Sequence, residues 1–418
     1  MRLALLSVIA STALLLGQSP KEVRRIAKQG VNALPQLQRF LLNPDIKVRL
    51  EAVRGIVDIG GPKTLDPLIE AARDNEPQVQ IAAVNGLVNY YLPGYVRTGL
   101  TAPIRKISSD IRSRFSDPDD QVIQPYITVR DDVVRAIGTI ARSGTSLDSR
   151  ANAARAAGIL RGKAAIPDLL EALRSKDSDV ILETLVAFEK IRDPAACRGV
   201  RSLIRDLDER VQSEALQTNG ILLCTESRED IRTVLSRTDR DRARRAALSA
   251  IAMMPEPRDR TLFSSFLESG DERLRVAAAE GYARLADIQD ARKLQEVFQA
   301  ETRNLPRLAL AFALVMDGNL SMSEDSPLRF LVYSLNNHNY RANATVYLTE
   351  AGRNPEVQRV LHAALDDASR DEKTGLAKVI AETGDKNSLP ALEKLSHDSD
   401  SAVAEEGLRQ LRNLRARL

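Results

Sequence analysis

The sequence predicts an all-α fold, an α-solenoid of about eleven antiparallel helix pairs with one helical insertion. The first observation is a helical stripe within residues 271–286, where Leu274, Ala278 and Tyr282 fall on one face. The second is that this segment, anchored on Arg275, recurs along the chain. Equivalent anchor positions are Arg49, Gln80, Arg150, Ile181, Gln212, Arg244, Arg307, Arg341, Lys373 and Ala404. From the third of these onward the step is 31 to 34 residues, a period typical of solenoids.

Two further columns of residues support this register. Three residues after the anchor the small column contains Ala52, Ala83, Ala153, Ala215, Ala247, Ala278 and Ala344. Seven residues after it the apolar column contains Ile56, Leu87, Ala157, Phe188, Ile251, Tyr282, Leu314, Leu348, Ile380 and Leu411. Small side chains let helices approach closely, and larger ones fill the seam between repeats. Each repeat of such a solenoid buries its apolar face against its neighbours.

Helix-start signals recur through the array. Ser19, Pro20 and Glu22 form a capping box with proline in the first turn. Acidic turns such as residues 176–179 and 397–400 come just before anchor helices. We interpret these turns as helix N-caps, because their spacing lacks the Gly and the distal Glu of a calcium loop.

The N-terminus has the layout of a secretory signal peptide, which we assign to residues 1–17. Arg2 is followed by fourteen uncharged residues, and Gly17 supplies a small residue for cleavage. The apolar run is shorter than the roughly 20 residues that a spanning helix needs. An uncleaved anchor and an ordinary buried helix stay open as alternatives. We therefore expect an exported protein, periplasmic or extracellular, whose solenoid occupies residues 18–418.

The repeat spacing breaks once, and we assign residues 92–130 to an insertion there. Four of its apolar residues recur at helical spacing: Ile104, Ile107, Ile111 and Phe115. Basic residues flank this stripe and are the predicted partner-binding residues: Arg97, Arg105, Lys106, Arg112 and Arg114. Either the segment packs on the array with a solvated basic face, or it contacts a membrane surface or a partner.

The repeated unit resembles the HEAT repeat, in the short version also found in phycobilisome-lyase-type proteins. The resemblance is carried by the pattern LPxLxxxLxxxDxxVRxxAxxxLxxIG, seen at residues 34–60 and 166–192, and it extends over most of residues 19–418. It implies stacked antiparallel helix pairs whose concave face holds a partner. Asn219 in the apolar column, and Ile181 and Ala404 at the anchor, depart from the pattern.

The sequence shows no group of residues typical of catalysis. His338, His362 and His397 lie on separate repeats, and phosphate-binding loops and nucleophile motifs are absent from the sequence. We therefore expect no enzyme activity, no metal and no cofactor. Cys197 and Cys224 fall near equivalent loops of consecutive repeats, about 10 Å apart if the helix interval separates them. That interval exceeds ordinary disulfide geometry, so we expect two free thiols, with a disulfide as the alternative.

These observations favour a non-enzymatic scaffold or adaptor that binds another protein on its concave face. The net charge of +3, from 60 basic and 57 acidic residues, gives no global field to attract nucleic acid, and tryptophan is absent. Nucleic-acid binding, as in HEAT-like glycosylases, is therefore an alternative that we do not expect. A chromophore-lyase-like role is a second alternative, which only the resemblance suggests.

Overall fold

The computed structural model describes residues 19–96, 122–124, 126–285 and 290–418. Throughout these residues the regular structure is helical, and the predicted all-α solenoid is confirmed. The predicted signal peptide and the five basic residues of the insertion lie outside the described residues. The chain divides after Cys224 into two compact units, which we call unit 1 and unit 2.

Unit 1 alternates short and long helices. In chain order they are α1 (Pro20–Ala27), α2 (Leu34–Phe40), α3 (Ile46–Ile59), α4 (Leu65–Ala71), α5 (Pro77–Tyr91), α6 (Asp131–Ser143), α7 (Leu147–Ile159), α8 (Ile166–Ala172), α9 (Ser178–Ile191), α10 (Cys197–Arg201) and α11 (Glu209–Ile221). Each odd-numbered helix packs against the next odd-numbered one, so these helices form one layer. The even-numbered helices form a second layer, packed against the first.

Unit 2 repeats the arrangement. Its helices are α12 (Arg228–Arg237), α13 (Asp241–Met253), α14 (Arg260–Phe266), α15 (Glu272–Leu285), α16 (Ala291–Ala300), α17 (Asn304–Met316), α18 (Pro327–Tyr333), α19 (Arg341–Ala351), α20 (Pro355–Ala364), α21 (Arg370–Thr383), α22 (Leu389–Leu395) and α23 (Ser401–Arg417). The odd-numbered helices again pack in sequence. None of the helices in the described chain has the length and apolarity that crossing a bilayer requires.

The packing follows the predicted register. All seven alanines of the small column are completely buried, and every residue of the apolar column is at most 4% exposed. Asn219 is also buried in that column, where its side-chain amide donates to the carbonyl of Ala215 at 2.7 Å. The hydrogen bond satisfies the side-chain nitrogen of Asn219, whereas its Oδ1 is buried with no hydrogen-bond partner among the described residues. The position itself stays buried, so the exception leaves the register intact.

Helices begin where the sequence signals predicted. Ser19 accepts a hydrogen bond from the backbone of Glu22 at the start of α1. The acidic turns act as N-caps: Asp177 accepts from the backbone of Val180, and Asp400 from that of Ala402. Capping of this kind satisfies backbone N–H groups that have no partner inside the helix.

The anchor side chains connect one repeat to the next. Several donate to a backbone carbonyl six residues earlier, at the end of the preceding short helix or in the turn after it: Arg49 to Asn43, Gln80 to Asp74, Arg244 to Thr238, Arg275 to Ser269 and Arg341 to Leu335. Arg49 and Arg275 also pair with Asp74 and Glu301 of the next repeat, each at 2.7 Å. The anchor therefore satisfies carbonyls left over at a helix end and holds the following turn.

Candidate functional site

Both described ends of the insertion are fixed to the layer of long helices. The backbone N–H of Val96 donates to Asn89 of α5 at 2.9 Å. On the return, the N–H of Ile123 donates to the carbonyl of Ile159 at 3.0 Å, and Ile123 is buried. These contacts place the base of the insertion beside the ends of α5 and α7.

Arg130 holds the last residues before α6. Its backbone N–H donates to the hydroxyl of Tyr91 at 3.2 Å, and its guanidinium reaches Asp66 and Asp132. This hydrogen-bonded guanidinium holds the pKa of Asp132 below its usual value. The three partners of Arg130 lie on α4, α5 and α6, so this one residue connects the return of the insertion to three helices through its backbone and its side chain.

A cleft of about 640 Å³ lies between α4 and α6 in unit 1. Its apolar lining is Ile69, Ala72, Ala136 and Ile140. Much of its polar lining is already engaged: Gln80 donates to the carbonyl of Asp74 and accepts from Thr145, and Thr139 donates to the carbonyl of Arg135. The cleft has room for a small ligand or a peptide side chain, without a convergent set of reactive groups.

In unit 2 the side chains of α15 and α19 meet across α17. Arg284 on α15 donates two hydrogen bonds of 2.8 Å to the carboxylate of Glu350 on α19. Tyr347 on α19 donates its hydroxyl to Glu280 on α15 at 2.6 Å. We call these four residues the clamp. The clamp thus joins two helices that lie two places apart in the layer.

The clamp covers Phe312 of α17. The ring of Phe312 stacks on Tyr347 with centroids 4.9 Å apart, and the Arg284 guanidinium lies 5.9 Å from the centre of the Phe312 ring. Burial, together with the nearby charge of Glu280, raises the pKa of Tyr347 well above its usual value. The tyrosine therefore keeps its proton and acts as a hydrogen-bond donor. Every residue of α17 from 308 to 315 is buried.

Beyond the clamp the same face is open. Val346 on α19 is 55% exposed. It lies five residues after its anchor, as Glu280 and Phe312 do on their own helices. Lys378 holds that position on α21 and is also exposed. We call the stripe formed by these positions, five residues after each anchor, the inner face of unit 2. Along this face the enclosed cluster around the clamp gives way to accessible side chains on α19 and α21.

The two cysteines form a disulfide, with their Cα atoms 5.5 Å apart. The expected separation of 10 Å, and with it the expectation of free thiols, is wrong. Cys197 opens α10, whereas Cys224 lies in the loop after α11. In that loop Leu223 adopts a left-handed conformation (φ 55°), and the N–H of Cys224 donates back to the carbonyl of Asn219. This turn brings the loop closer to α10 than two packed helix axes could be.

Sequence reasoning missed the clamp. Its members are ordinary charged and aromatic residues outside the three predicted columns, and the ion pair joins residues 66 positions apart. The repeat register is the sequence feature that could have pointed to the clamp. Glu280 and Phe312 are each five residues after an anchor position. Arg284 and Glu350 are each nine residues after one. A polar pair at equivalent positions two repeats apart is compatible with a bend but does not establish one.

Residues 12–96 match the family model of HEAT repeats. A search of curated proteins finds no match to the chain. Solved structures with a similar helical arrangement include the complex of CpcE and CpcF of phycocyanin lyase from Nostoc sp. PCC7120, at 18% identity over 71% of this chain and 92% of that chain, with a TM-score of 0.34.

Two further similar structures are those of the Escherichia coli protein YibA and of human deoxyhypusine hydroxylase in complex with glycerol. YibA is 16% identical over 70% of this chain and 95% of that chain, with a TM-score of 0.40. The hydroxylase is 16% identical over 68% and 96%, with a TM-score of 0.29. Likenesses this distant carry no functional argument. The predicted resemblance is confirmed by the family model: the chain carries HEAT repeats, identified over residues 12–96.

Proposed function

We propose that the chain is a non-enzymatic scaffold that binds a protein partner on the inner face of unit 2. The observation that carries the proposal is the clamp, because side chains that meet across an intervening helix favour a bend with the odd-numbered helices on its inside. A concave row of helices offers a partner more contact area than a flat one, and solenoids use such surfaces for binding. Val346 and Lys378 supply an accessible apolar and a charged contact on this surface.

The absence of enzyme activity is part of this proposal. It is supported by the described polar clusters, in which the charged groups of the clamp bond to one another and much of the polar lining of the cleft is engaged. The near-neutral charge of the whole chain supports a protein partner over nucleic acid, which requires a strong basic surface.

Export is also proposed. The uncharged run near the N-terminus supports it, as does the disulfide, because disulfides persist in oxidising compartments and are rare in the cytosol.

The inner face is tested by a pair of matched variants. Val346→Asp places a charge on the inner face, whereas Tyr333→Asp places one on α18, in the other layer, at a residue that is 61% exposed. Proteins captured from an envelope extract of the native host by the full chain should be lost with Val346→Asp, by tenfold or more, and retained with Tyr333→Asp. Equal capture by both variants, or no saturable partner, would contradict the proposal.

A further inference from the structure

Two buried glutamates lie on α9, and their surroundings differ. Glu183 is 4% exposed and accepts a hydrogen bond of 2.9 Å from the guanidinium of Arg155 on α7. Glu189, six residues later, is 8% exposed. A buried carboxylate is ordinarily paired with a cation, as Glu183 is, because an isolated buried charge is costly.

Glu189 is bonded to neutral groups on α11. The hydroxyl of Thr218 lies 3.0 Å from its Oε1 and donates its single proton to the backbone carbonyl of Glu214 at 2.8 Å. The side-chain amide of Gln217 donates to its Oε2 at 3.4 Å. A second carboxyl, that of Glu214, also acts on it from α11. The cation acting on it is Lys190, the next residue on α9, and its effect is weaker than that of Glu214.

The other neighbour of α9 in the layer does not compensate this charge. On α7, the guanidinium of Arg155 is engaged by Glu183. At Gly158, α7 approaches α9 closely, next to Ala187 and the aliphatic part of Lys190. Burial and, after it, the charge of Glu214 raise the pKa of Glu189 to about 8.

We propose that the contact between α9 and α11 is a pH-sensitive joint, closed while the Glu189 carboxyl keeps its proton beside Glu214 and weakened when that proton leaves. The neutral acid fits this buried site, because the Thr218 hydroxyl gives its proton to the carbonyl of Glu214 and its oxygen can then accept the proton of the Glu189 carboxyl. The carboxylate form would place two negative charges at one helix contact. The joint is separate from partner binding and concerns only unit 1.

The direction of the effect follows from proton linkage. A glutamate in the unfolded chain loses its proton near pH 4.5, whereas Glu189 in the folded chain keeps its proton up to about pH 8. Between these values the folded state holds a proton that the unfolded chain lacks, so stability falls as pH rises. Stability stops falling above about pH 8. Between pH 4.5 and pH 8 the equilibrium constant for opening rises by at most about tenfold per pH unit.

The test is native-state hydrogen exchange of the α11 amides in the full, oxidised chain at pH 6 and pH 8, corrected for intrinsic exchange. In the wild type the opening equilibrium should rise, by up to about a hundredfold over these two pH units. In Glu189→Gln it should stay constant, because the amide keeps the shape of the neutral acid and cannot ionise. The same pH dependence in both proteins would overturn the proposal.

Glu183→Gln is the matched control on the same helix. It removes the partner of Arg155 and should increase opening at both pH values while keeping the wild-type pH dependence. A ¹³C-carboxyl NMR titration provides an independent measurement if Glu189→Gln does not fold. A Glu189 resonance that titrates near pH 4.5 would overturn the joint, and one that titrates near pH 8 would support it.

Discussion

At the residue scale, Gly281 lies where α14 packs tightly against α15. A β-carbon at this position would lie within 2.6 Å of the Phe263 ring, and Phe263 is completely buried. Gly281→Ala should therefore lower the free energy of unfolding by about 1–3 kcal/mol, because a packed core accommodates an added methyl only by shifting side chains. Gly270→Ala is the control, since nothing lies within 4 Å of the added atom. Equal denaturation midpoints for the two variants would contradict this packing.

Arg192 ends α9 in the left-handed region, with φ 53° and ψ 47°. Glycine adopts this conformation without a steric penalty, and helices commonly end on it. We expect Arg192→Gly to stabilise unit 1 by about 0.5–1 kcal/mol in chemical denaturation. Lys378→Gly, within α21, should have the opposite sign and cost about 1 kcal/mol. A loss of stability with Arg192→Gly would contradict this expectation. It would show that the contacts of the Arg192 side chain stabilise the fold by more than its left-handed backbone conformation destabilises it.

At the element scale, the disulfide links the start of α10 to the loop after α11. It closes a loop between residues 27 positions apart, and cross-links of this size stabilise folded chains by about 3 kcal/mol. The double variant Cys197→Ser, Cys224→Ser should lose this amount in a urea titration. The wild type in reducing agent should unfold at the same urea concentration as the variant. If reduction leaves the wild-type midpoint unchanged, the cross-link does not contribute to stability.

How far the sequence predicts these elements depends on whether a feature repeats. The alanine and apolar columns recur in most repeats, so Ala278 and Tyr282 could be assigned to the core from spacing alone. The clamp occurs in one place and depends on how strongly unit 2 bends, which no single repeat encodes. Whether the two cysteines can form a disulfide depends on the path of the single loop that carries Cys224. The distance between packed helices therefore does not predict the distance between the cysteines.

The terminal helix shows the same limit. The helical pattern places Leu408 with Leu411 and Leu414 on the inward face of α23, but Leu408 is 42% exposed whereas the other two are buried. It lies four residues after the anchor position, and Leu185 and Leu248 at that position of earlier repeats are completely buried. Spacing along the chain therefore predicts the helix and its inward leucines, and does not predict how far each one is covered.

At the scale of the whole molecule, compartment and processing can be tested together. N-terminal sequencing of the protein from its native host should find Gln18 as the first residue, because Gly17 precedes the expected cleavage point. A control with Val8→Arg interrupts the apolar run and should leave the chain uncut, with its cysteines reduced. Recovery of wild-type protein that begins at the first residue would contradict cleavage and favour an uncleaved anchor or an internal helix.

The clamp also affects how unit 2 responds to force. A stack of repeats that touch only their nearest neighbours behaves as a spring, since every seam yields a little under load. Between α15 and α19, however, extension must first break the ion pair of Arg284 with Glu350 and expose the Phe312 ring to water. This section should therefore act as a stiff segment, and the remaining seams of unit 2 should supply the elasticity.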